Sequence, residues 1–280
     1  GHRMLRSILV ALDDTQGAIV ARDAAIAYAR RGGASLTVAV VLDRPHTQDK
    51  HEAVPLGAGA FKRHRDAKLT EQAEAEAQAA LRACAQAAEG LDYHELWLED
   101  APGPALVKAG ATHDLIVIGR DSTLGRETHH GVAPVIETLL RDGARPLVVV
   151  PPDATIRAEG PILAAYDGSA PSREALHLFA LLGLAGDSPV RVAAIARTQD
   201  AAQAMVEEGC AVLRQHGITA EPLAAVGGDV AGLILAEVEA IGARALVMGA
   251  FGGSSLLRML IGSTTDRLLH QARVPVFIHR

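Results

Sequence analysis

Two stretches decide the fold: Ser7-Ile8-Leu9-Val10-Ala11-Leu12-Asp13-Asp14-Thr15 and Pro161-Ile162-Leu163-Ala164-Ala165-Tyr166-Asp167-Gly168-Ser169. Each is an apolar run that stops at an aspartate followed by turn residues, and the second aspartate lies 154 positions after the first. The chain repeats itself. At the far ends of the repeats, Arg145-Pro146-Leu147-Val148-Val149-Val150 matches Val274-Pro275-Val276-Phe277-Ile278-His279, with the prolines 129 positions apart. The first repeat therefore carries about 25 extra residues, a length that loop statistics associate with function or disorder.

Working outward, short β-branched runs alternate with amphipathic stretches. Strands are expected near 7–12, 35–42, 92–98, 114–118 and 146–150, and again near 162–167, 190–196, 220–226, 244–249 and 274–279. Strand alternating with helix implies parallel neighbours joined by helical crossovers. The expectation is an α/β protein of two tandem open parallel five-stranded sheets with helices on both faces, spanning 4–151 and 161–280, with a Pro-rich linker over 152–160. The terminal strands of the halves are edges able to pair with each other. Gly1-His2-Arg3 ahead of Met4 reads as an addition and stays outside the fold argument.

Asp229 is a plausible N-cap for a helix whose stripe is Val230, Leu233, Ile234, Val238 and Ile241, ended by Gly242. Leu69, Ala73, Ala77, Ala80, Cys84 and Ala87 form a similar stripe of mostly small residues. The extra residues fall mainly in Asp43 to Asp66, whose prolines, glycines and mixed charge suggest a surface loop or lid, the basic cluster Lys62-Arg63-His64-Arg65 included.

Composition narrows the function. The 280 residues carry 27 basic and 33 acidic side chains, a net charge of -6, so a broad positive field for nucleic acid is missing. With 49% hydrophobic residues the chain can fill two cores, yet no apolar run reaches the roughly 18 residues of a membrane span. Two cysteines, Cys84 and Cys210, in helical stretches argue for packing and a reducing compartment. The reading is a soluble cytoplasmic protein with neither nucleic acid nor membrane as partner.

The informative loop follows the fourth strand of repeat 2 and runs from Met248-Gly249-Ala250-Phe251-Gly252 to Gly262-Ser263-Thr264-Thr265-Asp266. Gly249 and Gly252 have no Cβ to obstruct a ligand. Gly262-Ser263-Thr264 opens a helix whose free N–H groups and positive dipole end attract an anion. A phosphate is the natural occupant, although a Gly-rich loop alone is often only a tight connection and an aspartate such as Asp167 is more often a turn residue than a ligand.

The spacing Gly-x2-Gly-x9-Gly-Ser, with a strand-end aspartate upstream, resembles the nucleotide-binding signature of the universal stress protein family, and the resemblance covers nearly the whole chain as two tandem copies. It implies a Rossmann-like fold binding ATP, or AMP or ADP, with Mg2+ as an accompanying ion, in a stress-response sensor or switch. Carried onto matching positions, Asp167 accepts from the ribose hydroxyls, and Ala165 and Ile195 line the adenine side. Met248 and Gly249 flank the sugar; Gly252, Gly262, Ser263 and Thr264 hold the phosphates; Thr265 and Arg258 are lesser candidates. It also implies an intramolecular pseudo-dimer, a possible homodimer and an unknown protein partner.

Repeat 1 departs from this pattern. It reads Gly119-Arg120-Asp121-Ser122 through His129-His130-Gly131-Val132, so Ser122 stands where Gly252 does; counted without gaps Val132 replaces Gly262, and with a one-residue gap Gly131 aligns there and Val132 stands where Ser263 does. Asp13 survives, and Val41 can still flank a base. The expectation is that repeat 1 binds nucleotide weakly or not at all. His129-His130, with His113 and Glu127 nearby, matches no common zinc spacing and reads as surface. P-loop, Gly-x-Gly-x-x-Gly, His-Glu-x-x-His and Gly-x-Ser-x-Gly patterns are all missing from the sequence, so no catalytic residues are assigned and binding without efficient turnover is expected. Slow ATP hydrolysis or adenylation, and a ligand-free scaffold, remain the competing readings.

Overall fold

A computed structural model describes residues 5–41, 59–99, 101–122, 124, 133–250 and 262–280, with side chains from residue 69 onward in the helix that starts at Gly59. β1 (Ser7–Leu12) is buried at every position but the first, as expected of a strand covered on both faces. Its residues split between two cores. Ile8, Val10 and Leu12 face one layer of helices, and Leu9 and Ala11 the other.

The elements of repeat 1 continue with α1 (Gln16–Gly32), β2 (Ser35–Val41), α2 (Gly59–Ala87), β3 (Tyr93–Leu98), α3 (Pro102–Gly110), β4 (Leu115–Gly119), α4 (Pro134–Asp142) and β5 (Leu147–Val150). Repeat 2 follows as β6 (Ile162–Ala165), α5 (Ala170–Leu181), β7 (Val190–Ala196), α6 (Gln199–Gln215), β8 (Ala220–Val226), α7 (Val230–Ile241), β9 (Ala245–Gly249), α8 (Ser263–Gln271) and β10 (Val276–His279). Each half is an all-parallel five-stranded sheet, as the alternation predicts. The halves are not separate sheets, however: β5 and β10 pair antiparallel through Val149–Val276, Val148–Phe277 and Leu147–Ile278. The result is one ten-stranded sheet in the order β3-β2-β1-β4-β5-β10-β9-β6-β7-β8.

Helix ends follow their caps. The side chains of Thr15, Ser169, Thr198 and Asp229 each accept from a backbone N–H in the following turn, and Gly33 and Gly242 close α1 and α7 in the left-handed conformation. Three local expectations change. Leu233 and Leu69, placed on buried stripes, are 39% and 43% exposed, because α7 and α2 turn only part of those stripes to the sheet. Residues 59–66 are helical rather than loop, so the basic cluster 62–65 lies within α2, while 42–58 fall outside the described residues. The connection after β5 is fastened: Ala154 and Ile156 pack on the core, and Arg157 donates to the carbonyls of Gly242 and Ala243 at 2.9 and 3.0 Å. Among the described residues no helix is long and apolar enough to cross a membrane.

Candidate functional site

In each half the strand order reverses beside the first strand, between β1 and β4 and between β6 and β9, and the crevice of an open α/β sheet opens beyond the carboxyl ends at such a point. In repeat 2 that crevice is a solvent-open cleft with about 680 Å³ of empty space. Its walls include Ala165, Asp167, Ile195, Met248, Gly249, Thr264 and Thr265, so the fold brings these expected residues together. Gly262 is the N-cap of α8, with no side-chain cap, and Ser263 is the first helical residue, next to the wall residue Thr264 in sequence. Gly252 and Arg258 lie outside the described residues.

The cleft changes character along its length. Ala193, Ile195, Val230 and Ile234 make one side apolar, and Thr264, Thr265 and the open start of α8 make the other polar. Arg267 ties α8 to the start of α7 by a 2.6 Å ion pair with Asp229.

Asp167 follows β6 at the point where the chain turns into α5. Its Oδ1 accepts from the Ser169 N–H at 2.9 Å and from the Ser172 hydroxyl at 2.7 Å. Among the described residues no donor reaches Oδ2, and the side chain is exposed. Gly168, at φ 76°, makes the turn possible. A clamp secures it from outside: Arg173 donates to the Gly168 carbonyl at 3.1 Å and pairs with Glu208 at 2.8 Å, and the Tyr166 hydroxyl donates to the same carboxylate. Burial, reinforced by Glu208, pushes the Tyr166 phenol up to about 12, so it stays a donor. The hydrogen bond from Tyr166, and then Arg173, hold Glu208 below the usual carboxylate range.

Sequence reasoning missed Ser172 and Tyr166. A signal for Ser172 was present, since a serine in the first turn of the helix after an Asp-Gly-Ser turn can reach back to the aspartate. It also missed a second reason for glycine at position 249. A Cβ there would stand 2.3 Å from the Ser172 nitrogen and 2.5 Å from the Pro171 carbonyl carbon, so the residue lets β9 pack against the start of α5 as well as lining the cleft.

Repeat 1 has the same topology with different chemistry. Asp13 Oδ1 accepts from the Thr15 N–H at 2.9 Å and from the Thr15 hydroxyl, much as Asp167 does. Its Oδ2, however, accepts from the Ser122 hydroxyl at 2.8 Å. The Asp121 carboxylate sits over the start of α1, its Oδ2 accepting from the Gly17 N–H at 3.2 Å. Ser122 is buried, and Val41 is buried in the core. The adjacent histidines and Glu127 fall outside the described residues, whereas His113 is held by the Ala109 carbonyl at 2.9 Å and Thr37 at 3.0 Å, a structural role. Both cysteines are buried, and burial raises their thiols.

The universal stress protein family model matches residues 4–151 and 160–280. The chain belongs to the universal stress protein family. A universal stress protein of Synechocystis sp. is 29% identical over 170 residues, covering 60% of this chain, and the match spans 58% of that relative's own length. A universal stress protein of Mycobacterium tuberculosis is 51% identical over a 45-residue stretch, 16% of this chain and 15% of its own. Among solved structures, a universal stress protein from Archaeoglobus fulgidus superposes with a TM-score of 0.72 at 19% identity, covering 98% of this chain and 96% of that one. A universal stress protein from Pseudomonas aeruginosa gives 0.62 at 20% identity, covering 99% and 93%. These likenesses establish a shared fold of two tandem Rossmann-like halves.

Proposed function

We propose that the C-terminal repeat of this universal stress protein binds an adenine nucleotide, ATP foremost, and acts as a sensor or switch. The observation that carries the reading is Asp167: one carboxylate oxygen is tied down by Ser169 and Ser172, and the other meets no donor among the described residues at the edge of a solvent-open cleft. A ribose offers two adjacent hydroxyl donors to such an oxygen, the apolar side suits a purine face, and Thr264, Thr265 and the uncapped start of α8 suit phosphate. Gly252, outside the described residues, belongs to the same proposed phosphate cradle. A divalent cation would ride chiefly on phosphate oxygens, the usual mode for Mg2+. Nucleotide favours whichever arrangement of the cleft binds it best, and a partner protein reads that arrangement.

Calorimetric titration with ATP tests this. One equivalent per chain is expected, with affinity reduced in Asp167→Ala and kept in Asp13→Ala. Equal affinities in both variants and the parent overturn the assignment to repeat 2.

A further inference from the structure

Just before Asp121 and Ser122, the two residues that fill the repeat 1 crevice, lies Arg120, which faces the other way. Its backbone N–H donates to the Val150 carbonyl at 2.9 Å, keeping the turn in line with β5. Its half-buried guanidinium crosses the β5–β10 seam into repeat 2, where one nitrogen donates to the carbonyl of Ala272 at 2.6 Å and, at a longer 3.5 Å, to that of Leu269. These carbonyls belong to the C-terminal end of α8, where helix carbonyls lack intrahelical partners and the dipole is negative. The opposite end of the same nine-residue helix carries Ser263, Thr264 and Thr265.

The base of this arm is fixed. Ser122 on Asp13 and Asp121 on Gly17 pin the two residues after Arg120 to repeat 1, and Gly119 before it packs on the Gly17 backbone, 2.7 Å from where a Cβ would stand. The residue matching Arg120 in repeat 2 is Ala250, which has no side chain to reach back, so the contact runs in one direction only.

We propose that Arg120 is a positioning residue of the repeat 2 cleft: from a turn that has lost its own crevice, it caps the far end of the helix whose first turn meets the phosphates. This rests on the nucleotide reading above. A short helix behaves as a rod, so releasing its C-terminal end lets the N-terminal hydroxyls and N–H groups swing relative to Asp167. The ribose and base contacts lie on other elements and are untouched.

The test compares ATP with adenosine, which lacks phosphate, in calorimetric titrations of the full chain carrying Arg120→Met, Arg120→Lys or neither. For Arg120→Met, ATP affinity is expected to fall about 2–10-fold, the range of one hydrogen bond, while adenosine affinity holds. Arg120→Lys, which keeps a charged donor, is expected to recover part of the loss. Parallel loss for both ligands, which general destabilisation would give, overturns the proposal, as does unchanged ATP affinity. Hydrogen exchange separates this from failure of the nucleotide reading. Should the parent bind neither ligand, that reading falls, and the brace stands only if Arg120→Met speeds exchange across α8 with α6 unchanged; unaltered exchange in α8 overturns it.

Discussion

Replacing Gly249 by alanine separates the two reasons a glycine can stand at the end of β9. A Cβ built on the existing backbone lies 2.3 Å from the Ser172 nitrogen, 2.5 Å from the Pro171 carbonyl carbon and 2.7 Å from the Ser172 Cα. All three are backbone atoms, so no rotamer relieves the clash. Ordinary contact requires the start of α5 to retreat from β9 by roughly 1 Å, and forcing such a methyl into a packed seam costs about 1–3 kcal/mol. At about 2–4 °C per kcal/mol for a domain of this size, the melting temperature should drop by about 2–12 °C. The measurement is thermal or urea unfolding of Gly249→Ala beside the parent, without nucleotide. The moved residues include Ser172, whose hydroxyl holds Asp167 at 2.7 Å, so ATP affinity should fall as well. Unchanged stability with reduced ATP affinity would refute the packing argument and leave ligand clearance as the glycine's only purpose.

Asp167→Ala should weaken ATP binding by about 10–100-fold, the 1.5–3 kcal/mol typical of a hydrogen bond to a charged group, whereas Asp13→Ala should lower the melting temperature and leave affinity alone. Burial holds the His279 imidazole below its ordinary value, so the folded state keeps it neutral while the unfolded chain takes a proton below about pH 6.5. Stability from this group is complete above that pH and declines as pH falls towards the folded value; urea titrations between pH 7.5 and 5.5 should show the slope, flattened in His279→Gln. Arg244 is 5% exposed and donates to Ser188 Oγ and to the carbonyls of Leu184 and Ala185. Arg244→Ala should cost about 1–3 kcal/mol in urea unfolding through the acceptors it strands.

Why the architecture was legible, and part of the site was not, follows from what each depends on. The β-branched runs and their spacing depend on burial, which a linear pattern records, so the parallel halves and the edge pairing of β5 with β10 could be anticipated. Strand ends were less secure: β6 stops at Ala165, two residues before Asp167, whose carboxylate already serves the turn into α5. Leu69 and Leu233 show the limit of periodicity, since a helical stripe does not record how much of itself the sheet covers. Asp167, Thr264 and Thr265 could be read because motif spacing follows the chain. The Ser172 hydroxyl is a local contact five residues from Asp167 that the sequence could have shown, whereas the Glu208 clamp arises from side chains meeting after the helices dock, Glu208 lying 42 positions from the tyrosine it holds.

The two halves also differ as coupled sets rather than by scattered substitutions. At one position repeat 1 has Gly17 and repeat 2 has Pro171; Asp121, which faces Gly17, corresponds in sequence to Phe251. A Cβ at Gly17 would fall 1.7 Å from Asp121 Oδ1, so that carboxylate requires a glycine beneath it, and the bond it accepts requires an N–H that proline lacks. Proline transplanted alone to position 17 would both crowd that carboxylate and remove its donor. Ser122 adds to the set by occupying Asp13 Oδ2, the oxygen whose counterpart on Asp167 meets no donor among the described residues. Reopening repeat 1 would therefore take changes at Asp121 and Ser122 together. Loosening that turn also frees the base of Arg120, so the same double substitution should weaken the grip of repeat 2 on phosphate.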